Sequence, residues 1–257
     1  MADYRLDELM VVEAARHIHD GDVVMVGTGL PMAAGLFAQR SHAPNMCFVV
    51  ETGPVAPEVV PTPSSVSDPR LMHRAVRLGS LLESLGGILH RGRVDVGFLS
   101  GAQIDQFANI NSTAIGDYER PKVRLPGSGG ANDIASHSKR LLIIVRHEKR
   151  RFPARCDFIT SPGYIDGPEG RAKAGLPVPY PEITVITNLA VMDIDKTEGR
   201  LRTTKLMPGV SHDDVLENTG FDPTPPDEPG QVAPPTPDEL RLLREEVDPG
   251  GVYLKNG

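Results

Sequence analysis

Residues 23–51 set two short apolar runs on either side of a helical stretch, and that order admits few architectures. Val23-Val24-Met25-Val26 reads as a buried strand, Gly27-Thr28-Gly29-Leu30-Pro31 as a turn, and Met32 to Arg40 as a helix. Cys47-Phe48-Val49-Val50 reads as a second buried strand. Short apolar runs bounded by Gly and Pro mark strands buried on both faces. Strand, turn, helix and strand in that order predict an α/β fold: an open, mostly parallel sheet with helices on both faces. In such sheets ligands bind outside the carboxyl ends of the strands. There the second run ends in a lone acid, Glu51, ahead of Thr52-Gly53-Pro54. A carboxylate carried by a rigid strand can serve as nucleophile or base. Glu51 is therefore the candidate catalytic residue, with Gly27, Gly29 and Gly53 in the turns near it.

The rest of the chain extends this reading. Leu6, Leu9, Met10, Ala14 and Ile18 form one helical stripe that Gly21 stops. A helix is expected from Leu78 to Leu89, interrupted at Gly86-Gly87, and strands at Val94–Leu99 and Leu141–Val145. Residues 160–181 read as a loop longer than compact domains usually carry without a purpose. Residues 183–194 alternate around Asn188 as a pair of strands. Ser211 with Asp214 opens a short helix, and Thr236-Pro237-Asp238-Glu239 opens a final one. Between these, residues 222–237 hold seven prolines, an extended and stiff linker. The expected organisation is one α/β domain over residues 1–221, the linker at 222–237, and a C-terminal helical arm at 238–257 packing on the same domain.

A net charge of −7 argues against general binding to nucleic acid or an anionic membrane. No apolar run reaches the roughly 18 residues that span a bilayer, and the N-terminus has no signal-peptide core. Cys47 and Cys156, far apart, make neither a disulfide framework nor a zinc site. A cytoplasmic protein is expected.

Among the motifs, Gly27-Thr28-Gly29 is a weak start to a dinucleotide fingerprint, because Met32 stands where the third glycine belongs. Gly127-Ser128-Gly129-Gly130-Ala131-Asn132-Asp133 is stronger: glycines free backbone N–H groups to converge on an oxyanion or phosphate. Gly101 to Asp105 and Asn109 to Thr113 set amides and hydroxyls after a buried strand, either to fix a ligand or to build turns. His147-Glu148-Lys149-Arg150-Arg151 is not a zincin helix, since Arg151 replaces the second histidine. The eight histidines show no metal spacing, and no G-x-S-x-G elbow occurs. The residues alone define an α/β protein with an anion-accepting Gly-rich site and a candidate carboxylate.

In combination these segments resemble the β subunits of class I CoA-transferases, above all those of the glutaconate CoA-transferase type. The matching stretches are Gly27 to Pro31, Val50 to Gly53, Gly101 to Asp105, Asn109 to Tyr118, Gly127 to Ala135, His147 to Phe152, Thr160 to Pro168 and Asp214 to Asp222. The resemblance implies a NagB/RpiA/CoA-transferase-like fold. It also implies a separate α subunit that completes the active site, in an αβ, α2β2 or larger assembly. The substrates implied are an acyl-CoA and a small carboxylic or dicarboxylic acid, with coenzyme A as substrate, no tightly bound cofactor and no metal. The family's glutamate stands in E-S-G or E-N-G, and Glu51-Thr52-Gly53 matches it. The implied mechanism is ping-pong through a glutamyl-CoA thioester on Glu51. Gly129, Gly130 and Ala131 are expected to supply oxyanion donors, with Asn111 and Gln103 nearby. The departures are Thr52 for Ser or Asn, Asp133 after Asn132, and a divergent Pro-rich stretch from Pro54 to Ser67 that points to a different substrate choice. Family branches that decarboxylate or hydrolytically open CoA esters lack this glutamate, so Glu51 favours the transferase. A non-catalytic subunit beside an active α partner is the remaining alternative.

Overall fold

The computed structural model of the chain describes residues 4–59, 63–225 and 227–254. Contacts divide the chain into two units, Met1–Phe98 with Ala233–Gly257, and Leu99–Val232.

The first unit begins with α1 (Leu6–Ala15), where the Arg5 N–H donates to the Glu8 carboxylate at 2.8 Å and caps the helix. It continues through β1 (Val23–Met25), α2 (Leu30–Arg40), β2 (Cys47–Val49), β3 (Pro54–Val55) and β4 (Arg77–Leu78). A wide helix over Leu82–Leu89 precedes β5 (Val96–Leu99). β1 lies between β5 and β2 and is parallel to both, with Met25 opposite Val49 and Gly97. β3 and β4 extend the sheet antiparallel beyond β2. α2 packs tightly because Gly35 has no side chain: a Cβ there would stand 2.7 Å from the Phe48 ring. The helix expected from Leu78 starts instead at Leu82, because Leu78 pairs with Pro54 in the sheet. Gly86 and Gly87 do not interrupt it. The turns widen to i→i+5 hydrogen bonds, as from the His90 N–H to the Leu85 carbonyl at 2.8 Å, a pattern found mostly as single wide turns.

In the second unit β6 (Gln103–Ile104) pairs with β7 (Ile110–Asn111), and β8 (Ala114–Ile115) with β9 (Val123–Arg124). Then come α3 (Ala131–His137), β10 (Arg140–Ile144), α4 (Gly170–Lys173), β11 (Glu182–Ile186), β12 (Ala190–Asp195), β13 (Arg200–Leu206), α5 (His212–Glu217) and β14 (Gly230–Gln231). β10 and β11 are parallel; β12 and β13 continue antiparallel, and β14 closes the edge parallel to β13. The long loop of residues 160–181 thus carries a helix of its own, α4. The proline stretch is also more fixed than a linker. The Thr203 N–H donates to the Pro223 carbonyl at 2.8 Å, and the Val232 N–H to the Leu206 carbonyl at 2.9 Å. Pro226 within that stretch, and residues 255–257 of the C-terminal arm, lie outside the described residues.

The chain then returns to the first unit as α6 (Pro237–Leu242), opened by a reciprocal Thr236–Glu239 cap. Its continuation, Leu243–Val247, carries Arg244, whose guanidinium grips the buried Glu8 carboxylate at 2.7 and 2.9 Å. Among the described residues no helix is long and apolar enough to cross a membrane.

Candidate active site

Glu51 follows β2 in the turn Val50-Glu51-Thr52-Gly53. Because β1 and β2 are parallel and in register, Gly27 and Glu51 each stand two residues beyond a matched pair, at the same carboxyl edge. The turn is fixed at several points. The Gly53 N–H donates to the Val50 carbonyl, and the Val50 N–H to the Pro54 carbonyl, both at 2.9 Å. The buried Ser84 hydroxyl donates to the Val50 carbonyl at 3.0 Å. The Thr52 hydroxyl donates to the Val66 carbonyl at 2.9 Å, which ties the Pro-rich segment back to the turn. Residues 60–62 of that segment lie outside the described residues.

Gly53 has φ +125°, and its carbonyl faces the Gly79 backbone, accepting from the Gly79 N–H at 3.1 Å. A Cβ at Gly53 would lie 2.5 Å from the Gly79 carbonyl carbon and overlap its oxygen. Only glycine fits, for the backbone angle and for the close approach. Gly29, at φ +87°, precedes α2 in a backbone conformation that also favours glycine, though with no close approach.

The Glu51 side chain is half-buried. Burial pushes its carboxyl above the usual range, and no hydrogen bond or charge among the described residues offsets this. A groove of about 320 Å³ in the same unit is lined by Gly53, Val55, Arg77, Gly79, Glu83, Ser84, Gly87 and Ile88. Glu51 does not line that groove; it is a half-buried carboxylate in a fixed turn, with no hydrogen bond to its oxygens among the described residues.

Gln103, Asn111, Gly129, Gly130 and Ala131 belong to the second unit. Gln103 and Asn111 are buried and bound to each other, the Asn111 amide donating to the Gln103 carbonyl oxygen at 2.7 Å. The other Asn111 hydrogen goes to the Ala114 carbonyl at 2.7 Å, and the Gln103 amide donates to Asp157 at 3.1 Å. Both Asn111 hydrogens are thus spent on the protein, and the side chain shapes the loop. In the Gly-rich loop the Ala131 N–H is also spent, on the Ser128 carbonyl at 2.9 Å. The N–H groups of Gly129 and Gly130 have no acceptor among the described residues. Gly129, at φ +51°, is exposed and Gly130 is half-buried. Of the three residues expected to donate, Gly129 and Gly130 keep open N–H groups and Ala131 does not.

Three buried groups of the second unit have little or no signal in the sequence. Asp105 accepts from the N–H groups of Phe107, Asn109 and Cys156 and from the Asn109 amide. His147 sits between the Thr187 and Thr219 hydroxyls, 3.1 and 2.9 Å away, and stacks on Phe152; burial lowers it to about 4. Arg171 is fully buried. The short Asp105-to-Asn109 spacing is the one local signal, an Asx-type turn; the other two depend on residues remote in sequence.

The fold and the strand-end carboxylate define an open α/β protein with one candidate acid, Glu51, in its first unit and a Gly-rich loop with two unspent backbone donors in its second. A family model described as Coenzyme A transferase matches residues 8–218. The chain is 40% identical over 262 residues to the B subunit of glutaconate CoA-transferase from Acidaminococcus fermentans, covering 99% of this chain and 98% of that one. It is 40% identical over 244 residues to the B subunit of 3-oxoadipate CoA-transferase from Pseudomonas knackmussii, covering 95% and 94%. The crystal structure of the Acidaminococcus fermentans glutaconate coenzyme A-transferase superposes with a TM-score of 0.93 at 39% identity, over 99% of this chain and 98% of that one. The chain belongs to the coenzyme A transferase family.

Proposed function

We propose that this chain is the B-type subunit of a CoA-transferase that moves CoA between an acyl-CoA and a small carboxylic acid through Glu51. The carrying observation is the Glu51 carboxylate itself: fixed at a parallel strand's carboxyl end, half-buried, and free of hydrogen bonds among the described residues. One Glu51 oxygen attacks the thioester carbonyl, and the tetrahedral intermediate collapses to a mixed anhydride and CoA thiolate. The thiolate attacks the glutamyl carbonyl, the donor acid leaves as carboxylate, and CoA stays on the enzyme as a thioester. An incoming carboxylate reverses both steps. The only species consumed and formed are acids and CoA esters, so this route uses no oxidant and no resident cofactor. The Gly129 and Gly130 N–H groups are the donors proposed for the developing oxyanions, where each typically contributes about 10²–10³ in rate.

The acids named for the two relatives, glutaconate and 3-oxoadipate, both carry two carboxylates, and a small dicarboxylate is the proposed substrate. A second, α-type chain is proposed as partner. Exposed aliphatic residues around β4 support this: Val76 is 83% exposed, Leu82 77% and Leu78 62%. Apolar side chains clustered in this way mark surfaces that another chain covers. Residues 1–221 are proposed to act as one CoA-transferase-like domain, with 222–237 as connection and 238–257 as arm.

The test incubates the two-chain complex with acyl-CoA and treats it with borohydride. Reduction localised to Glu51 supports the reading. Exchange between acyl-CoA and free acid at the wild-type rate in Glu51→Ala overturns it.

A further inference from the structure

Arg171 is the largest fully buried side chain, 0% exposed, and no carboxylate among the described residues pairs with it. All five of its N–H groups donate to backbone carbonyls. Nε donates to Val178 at 2.7 Å. One terminal nitrogen donates to Pro162 and Gly163 at 2.9 and 3.0 Å, the other to Ala135 and Ser136 at 3.0 and 3.2 Å. Removing a cation from water costs several kcal/mol, and an apolar side chain of similar volume often holds a core as well or better. The arginine therefore supplies something an apolar residue lacks, namely a rigid planar fork that fixes several acceptors in one geometry.

Four of those acceptors connect two segments, α3 and the 160–163 loop. Ala135 and Ser136 are in the last turn of α3. Pro162 and Gly163 lie in the loop whose Gly163 N–H binds the Asn109 side chain at 2.9 Å. The front of α3 is tied to the same loop, since the Asn132 amide donates to the Thr160 carbonyl at 3.1 Å. α3 is thus held at both ends against residues 160–163, and its first residues are continuous with Gly129 and Gly130. The direction of those two N–H groups follows from where α3 is clamped.

We propose that Arg171 is a positioning residue that sets the aim of the Gly129 and Gly130 N–H donors by clamping α3 to the 160–163 loop. This rests on the proposed use of those donors in transfer. It also gives the long Gly/Pro loop a purpose: it carries the clamp.

The experiment is a single-turnover measurement of CoA loading on the two-chain complex, with Arg171→Lys. Lysine keeps the charge and loses the fork. The burst amplitude counts correctly folded sites, and the rate constant reports their chemistry. The expected result is full amplitude, KM for acyl-CoA within about twofold, and a loading rate lower by about 10–100-fold, as for an angstrom-scale misplacement. Reduced amplitude with an unchanged rate constant would show a folding role only and overturns the proposal. If Arg171→Lys does not fold, Asn132→Ala cuts the front tie at an exposed residue; the same slowing is expected, and an unchanged rate overturns the proposal. Glu51→Gln is run in parallel. Transfer retained there refutes the nucleophile, whereas an inactive Glu51→Gln beside an unaffected Arg171→Lys refutes the clamp alone.

Discussion

Gly53→Ala tests whether the turn after β2 holds Glu51 in one place. At φ +125° a side chain is strained by about 1–3 kcal/mol. The added Cβ would lie 2.5 Å from the Gly79 carbonyl carbon, against an ordinary carbon contact of about 3.5 Å. Relief requires a movement of about 1 Å, which also breaks the 3.1 Å bond from the Gly79 N–H to the Gly53 carbonyl, worth about 1 kcal/mol. Destabilisation of about 2–4 kcal/mol is expected, lowering Tm by about 5–15 °C for a chain of this size. Gly53 is two residues from Glu51, so the same movement displaces the carboxylate, and a displacement of about 1 Å costs about 100-fold in rate. The assay is CoA exchange between acyl-CoA and free acid in the two-chain complex, with a thermal melt of the variant. Exchange within about threefold of wild type at an unchanged Tm would refute the reasoning, because the turn would then neither constrain Gly53 nor aim Glu51.

Glu51→Gln should abolish exchange and also raise Tm at about pH 7. Burial raises the folded carboxyl above its unfolded value, so the folded state favours the protonated form and loses stability as pH rises through the folded value. The Tm gain should vanish below about pH 4; a gain independent of pH contradicts the assignment. His147 works in the opposite sense: its folded value, about 4, lies below its unfolded 6.5. Stability is therefore full above about pH 6.5 and falls toward about pH 4 by at most about 3 kcal/mol, and His147→Gln should flatten that part of the stability–pH curve. Arg244→Ala leaves the buried Glu8 carboxylate without its guanidinium and should cost about 1–3 kcal/mol, read as a lower urea midpoint. Ellipticity and tyrosine fluorescence should report one coincident unfolding transition for the full chain; two separate transitions would contradict the single-domain proposal for residues 1–221.

Local chemistry explains which parts of the fold are legible in the sequence. β1, α2 and β2 are legible because each is a continuous apolar or helical run closed by Gly or Pro, and their order requires a parallel pairing. The Ser211 and Thr236 caps are legible because a cap is decided within four residues. Leu78 is not, because its side chain suits helix or strand and only its pairing with Pro54 decides. Gly86 and Gly87 look like a break because the local cost of glycine in a helix says nothing of wider turns. The glycine run from Gly127 shows that donors can converge. Which N–H groups stay open depends on the Ser128 carbonyl, which takes the one from Ala131.

The sequence by itself determined the α/β class, the strand that leads to Glu51 and the Gly-rich loop, because hydrophobic period, turn chemistry and capping are short-range properties. Tertiary structure alone decided that Gly53 must be glycine against Gly79, that Asn111 spends its amide on Gln103 and Ala114, and that Arg171 gathers five carbonyls from three separated segments. Each of these depends on groups brought together by folding, most of them backbone. Carbonyls and N–H groups are the same at nearly every residue, so no pattern of side chains records which of them will meet.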